Sequence, residues 1–131
     1  MSEELKNMNI ADISFSEALP ITPLHWIIAD SAESIVVEPG SNGIQIYNNP
    51  IGVLTNSPPF EYHMYHLSNY INLTRNEPIN RFSDKTEIKP YSRGMGAMGL
   101  PGDLSSSSRF VKAAFTKLNS NCDPSEKASV S

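Results

Sequence analysis

Asn56 and Arg109 are the two side chains placed where each could hold a developing charge. Asn56 ends a short apolar run, Gly52 to Thr55, so its amide can point into a cleft as a donor; it can equally close a turn ahead of Ser57-Pro58-Pro59, and the residues alone favour the turn. Arg109 adjoins the apolar stripe of a helix in its first turn, where a cation opposes the helix dipole, so a group outside the helix is expected to hold it. Other candidates carry less. Gly94-Met-Gly96-Ala-Met-Gly99 has dinucleotide-loop spacing, but Lys89 to Arg93 before it is no apolar strand, and Leu100-Pro101-Gly102 stands where the helix should run. Those glycines are expected to serve close backbone approach and positive φ.

His63 and His66 lie three apart, with His25 elsewhere, and no acidic or cysteine set completes a metal-ligand pattern. They read as surface or partly buried histidines beside Tyr62 and Tyr65, and neither a metal nor a cofactor is expected. Ser2 could become an N-terminal nucleophile after loss of Met1, yet an amine on a fraying end has no oxyanion donors around it. Cys122 precedes Asp123, which would raise a thiol pKa, and reads as a free surface thiol. The serines at 105 to 108 lack a nucleophile elbow and serve to start a helix.

The elements that must position these residues are an α+β set. Residues 3 to 8 resemble the last turns of a helix, and Asn9 to Pro23 a connecting loop with Ile10, Ile13, Phe15 and Leu19 as anchors. Four antiparallel strands are expected at Leu24 to Ala29, Ser34 to Glu38, Gly43 to Tyr47 and Gly52 to Thr55, the first central because it is nearly apolar throughout. Phe60 to Leu73 is a predicted helix, with Phe60, Met64, Leu67 and Ile71 on one face after Pro58-Pro59. Asn76 to Pro90 loses all periodicity and reads as a projecting loop. A second helix is expected from about Leu104 to Leu118, capped by Asp103 or Ser105, with Phe110, Val111, Ala114, Phe115 and Leu118 inward.

Composition narrows the partners. With 10 basic and 14 acidic residues and a formal charge of -4, the chain has no footprint for nucleic acid. No apolar run reaches the roughly 18 residues a membrane span needs, no targeting segment is visible, and a single cysteine forms no internal disulfide, so a soluble cytoplasmic protein is expected.

Taken in order, Pro23-Leu-His-Trp-Ile-Ile-Ala-Asp30, Ser34-Ile-Val-Val-Glu38, Gly52-Val-Leu-Thr-Asn-Ser-Pro58, Ser92-Arg-Gly-Met-Gly96 and Gly99-Leu-Pro-Gly-Asp-Leu-Ser-Ser-Ser-Ser-Arg-Phe110 resemble the choloylglycine hydrolase family, in particular its bile salt hydrolases. The resemblance implies that residues 1–131 are an incomplete piece of the four-layer αββα N-terminal nucleophile hydrolase fold. It implies hydrolysis of the glycine or taurine amide of a conjugated bile salt by an N-terminal cysteine, whose thiolate forms a thioester. That cysteine, with the arginine and aspartate that follow it, has no counterpart in these residues, so the chain alone is expected to be inactive and, with sheet edges unpaired, to melt without cooperativity. By position, Asn56 matches the oxyanion-hole asparagine and Arg109 the arginine near the cysteine sulfur, which reverses the turn-only reading of Asn56. Phe15 and Leu19 fall in the loop that resembles the wall for the steroid body. The 76–90 loop resembles the segment that reaches a neighbouring subunit in the family's tetramers. A non-catalytic assembly module and a penicillin V acylase-type amide hydrolase are the alternatives.

Overall fold

Three short runs of β-branched and aromatic residues form one antiparallel sheet in the computed structural model, which describes residues 16, 17 and 24–121. They are β1 (Trp26–Ala29), β2 (Ser34–Gly40) and β3 (Gly43–Asn48), in the order β1-β2-β3. The turn before β2 is closed by Asp30, whose Oδ1 accepts the amides of Ala32 and Glu33 at 2.8 and 2.9 Å. The β2–β3 turn places Gly43 at φ 102°, a conformation that favours glycine.

Among the described residues β2 is therefore the central strand of the sheet and β1 lies at one side of it. The apolar run of β1 suggested cover on both sides, but Trp26, Ile27 and Ala29 are all exposed. The central strand puts Val36 at 0% exposure and Glu38 at 5% on one face, because alternate residues share a face.

That face carries the core. Val36, Ile51, Phe60, Phe110 and Ala114 form one buried cluster, flanked by Tyr47, Val53, Leu54, Met64 and Leu67. Phe60 meets Tyr47 at 5.9 Å and Phe110 edge-on at 6.2 Å, and burying each such ring contributes about 1.5–3 kcal/mol. Each helix thus brings a phenylalanine to the core, Phe60 and Phe110.

Gly52 to Thr55 is not a fourth strand. The Asn49 side chain accepts the Gly52 amide at 2.9 Å and donates to the Val53 carbonyl at 3.1 Å, which turns the chain off the sheet after Pro50. Lys117 Nζ then takes the Gly52 carbonyl at 2.9 Å, so the segment lies along a helix.

The expected Phe60 to Leu73 helix is shorter. It is α-helical over α1 (Phe60–His66) and tightens to a 3-10 turn over Leu67–Tyr70. The tighter turn advances each residue further round the axis, so Ile71 leaves the apolar face and is 79% exposed. Helix α1 has no side-chain cap of its own; the buried Glu38 carboxylate accepts the Phe60 amide at 2.9 and 3.1 Å and bonds His25 Nδ1 at 2.9 Å.

The second helix, α2 (Ser106–Asn119), starts where Ser105 accepts the Ser108 amide. Phe110, Val111 and Ala114 are buried as expected, whereas Leu118 is exposed. Between the helices the chain forms no helix or strand, and its base is pinned where Ala97 N donates to Thr74 O at 2.7 Å. Gly96 lies so close to the Arg75 carbonyl there that a Cβ would overlap it. The expected helix at 3 to 8, the anchors Ile10 and Ile13, and Cys122 lie outside the described residues.

Candidate functional site

The first turn of α2 and the strand-like segment ending at Asn56 meet on one side of the core. Asp103 organises the helix start, accepting the Ser105 amide at 2.9 Å and the Ser108 hydroxyl, while Lys112 Nζ bonds its carbonyl at 2.9 Å. With that start fixed, Arg109 extends from the first turn and donates from Nη2 to Asn56 Oδ1 at 2.8 Å and from Nε to the Leu104 carbonyl at 3.2 Å. The group outside the helix that holds Arg109 is Asn56. No carboxylate among the described residues pairs with the guanidinium.

That contact determines which way the amide points. A guanidinium only donates, so the Asn56 oxygen must face it and Nδ2, with both hydrogens, must face away. Among the described residues no acceptor takes that Nδ2. The Asn56 main chain is held as firmly: its carbonyl accepts from His63 Nε2 at 2.9 Å and from the Ser106 hydroxyl. Thr55 Oγ1 donates to the Ser106 carbonyl at 3.1 Å, closing the network onto α2.

The pair opens into a cleft of about 480 Å³ lined by His25, Trp26, Ile27, Leu54, Thr55, Asn56 and Arg109. It combines an uncommitted N–H donor, an unpaired cation and an apolar rim. Such a set can stabilise negative charge on an oxygen or a sulfur brought into it. Clefts of about 580 Å³ beside the β1–β2 turn and 620 Å³ in the loop contain no such pair. Among the described residues no group of three or more His, Cys, Asp or Glu is placed to hold a metal ion.

Hydrogen bonds from Ser105 and then Ser108 hold the Asp103 carboxyl far below the usual carboxylate range. A depressed pKa means the charged cap stabilises the fold above the unfolded value of about 3.9 and loses that contribution only as pH falls through the lower folded value. A carboxyl-carbon NMR titration of the folded protein should therefore put the Asp103 midpoint well below pH ~3.9, and Ser108→Ala should raise it. An unshifted midpoint in the parent would contradict the cap geometry.

The whole chain, residues 1–131, matches the description of linear amide C–N hydrolases, choloylglycine hydrolase family. The chain belongs to the choloylglycine hydrolase family. It is 53% identical over 131 residues to a bile salt hydrolase/transferase of Lactiplantibacillus plantarum, covering 100% of this chain and 40% of that protein. It is 38% identical to a conjugated bile acid hydrolase of Lactobacillus acidophilus over 99% of this chain and 42% of the relative. A crystal structure of a mutant conjugated bile acid hydrolase from Clostridium perfringens superposes with a TM-score of 0.75 at 43% identity, over 88% of this chain and 36% of that one. The mutation there replaces a cysteine at its second position by alanine. The chain thus spans about 40% of the length of the relatives it matches. The described sheet and helices are a partial N-terminal nucleophile hydrolase fold, as the family implies.

Of the four expected site residues, Asn56 and Arg109 are in direct contact, and Phe15 and Leu19 lie outside the described residues. His63 was missed. It is not a surface residue but 0% exposed, and its position three after Phe60 on the apolar stripe was the available signal.

Proposed function

We propose that this chain is the central part of a conjugated bile salt amide hydrolase and contributes Asn56 and Arg109 to its catalytic centre. The observation that carries this is the 2.8 Å bond from Arg109 to Asn56 Oδ1, which leaves the Asn56 Nδ2 hydrogens aimed outward. The family's attacking group is an N-terminal cysteine thiolate, supplied by a segment other than the one described. Its attack on the amide carbon of a glycine or taurine conjugate puts negative charge on the carbonyl oxygen, which Asn56 Nδ2 would meet as a donor. Arg109, unpaired by any described carboxylate, would favour the thiolate over the thiol. No cofactor or metal enters this chemistry. No described helix is long and apolar enough to cross a membrane.

The test is a graft in which these 131 residues replace the matching segment of the L. plantarum relative, to which they are 53% identical. The graft should release taurine from a conjugated bile salt faster than phenoxyacetate from penicillin V. The reverse preference would favour the acylase-type reading, and no release of either would sink the hydrolase reading.

The exposed loop supports a second role, assembly. Residues 76–90 are organised around Asn80, whose amide donates to the carbonyls of Ser83 and Thr86 at 3.1 and 2.6 Å and accepts the Phe82 amide at 3.1 Å. This ordered loop leaves Ile79 69% and Phe82 84% exposed, and such a patch gains by docking on another subunit. Combining Ile79→Ser and Phe82→Ser in the graft should lower its mass in light scattering from a tetramer to smaller species. An unchanged mass would exclude the loop from assembly.

A further inference from the structure

We infer that His63 is a positioning residue for Asn56, an assignment that rests on the hydrolase reading above. The ring is 0% exposed and lies flat on Phe110, with centroids 4.8 Å apart and planes 10° from parallel. Its Nε2 is 2.9 Å from the Asn56 carbonyl oxygen and 3.4 Å from Thr55 Oγ1. A carbonyl only accepts, so Nε2 carries a proton, and in the neutral ring Nδ1 is then bare. Among the described residues that Nδ1 is buried without any hydrogen-bond partner.

The orphaned nitrogen is the informative feature. A buried polar atom left unsatisfied is destabilising, and a phenyl ring in the same place would stack on Phe110 and leave none. Packing therefore gives no reason for a histidine. What histidine alone adds is the Nε2–H, and its target is the peptide group that carries Asn56. With the Ser106 hydroxyl on the same carbonyl and Arg109 on the side-chain oxygen, Asn56 is fixed at both ends. Nδ2 is then aimed before any substrate arrives, and a donor that need not reorganise contributes most to the transition state. The path runs from the core through Phe110 and His63 to the main chain of Asn56, and His63 itself touches no reacting atom.

The experiment uses the same graft with His63→Phe and His63→Gln. The phenyl ring keeps the stack and removes the donor; the glutamine amide keeps a donor at about the reach of Nε2 and loses the stack. Since misplacing a catalytic group by about 1 Å can cost ~100-fold in rate, His63→Phe should lower kcat by roughly 10- to 100-fold at a near-parental KM and an unreduced melting temperature. His63→Gln should regain most of that kcat even if it melts lower, a pattern that a purely structural residue would not give. Parental kcat in His63→Phe, or losses in both variants that follow melting temperature alone, would overturn the assignment. A second readout needs no turnover: the long-range proton–nitrogen spectrum should show the His63 proton on Nε2, and the opposite tautomer would overturn the assignment too. If the parent graft does not turn over, the hydrolase reading fails and His63 is decided by this spectrum.

Discussion

Asn56→Asp in the graft should lower kcat about 100- to 1,000-fold while KM changes little. The substitution is chosen because it preserves the structure around the residue. An aspartate oxygen accepts from Arg109 Nη2 where the Asn56 oxygen does now, at 2.8 Å, and the main-chain bond from His63 is untouched. What it removes is the outward-facing Nδ2 donor, and what it adds is a negative charge facing the oxygen that becomes negative. One such donor is worth about 2.7–4 kcal/mol, and because the bond strengthens only in the transition state, the loss falls on kcat and not on KM. Activity within a few-fold of the parent would show that Asn56 only shapes a turn.

Phe110→Ala should destabilise the graft by about 3–5 kcal/mol in urea unfolding. Phe110 is 0% exposed and joins both functional segments: it meets Phe60 of α1 edge-on, stacks on His63, and sits one residue from Arg109. Removing the ring leaves a cavity between α1, α2 and β2 that Phe60 and Val36 cannot close without moving the sheet. A domain has about 5–15 kcal/mol in total, so this one change consumes a large fraction. A loss below about 1 kcal/mol would mean that the neighbours collapse into the space, and the rigid path from the core to Asn56 would then be wrong.

How much of this was legible in the sequence depended on the range of the interaction. Helix α2 was readable from local features alone: the serines after Asp103 and the Phe110, Val111, Ala114 stripe report burial and capping within a few residues. The order of the described strands was not readable. Trp26 and Ile27 suggest a strand covered on both sides, whereas edge or centre is set by pairing partners 10 or so residues on, which no periodicity encodes. Gly52 to Thr55 misled in the same way, since its apolar residues pack on the core beside α2 without pairing in the sheet.

The site shows the same division. From the residues alone Asn56 is better explained as a turn residue, and only likeness to a family points to the catalytic role proposed for it. The structure supplies the physical reason the two views coexist, because the main chain of Asn56 is bound from within while its side chain is bound by Arg109, 53 positions away. His63 was the reverse case. Its polarity drew attention to a metal or the surface, although its i+3 spacing from Phe60 already placed it on the apolar face. Glu38 also escaped notice, since a carboxylate capping a helix 22 positions away has no local signature.

The most direct test of the Asn56–Arg109 site is a double-mutant cycle on the graft, comparing Asn56→Ala, Arg109→Met and the pair for taurine release. Two groups that act as one unit are strongly non-additive, so the double variant should lose little more kcat/KM than the worse single one. Effects that simply add would mean that the 2.8 Å bond between them has no part in catalysis.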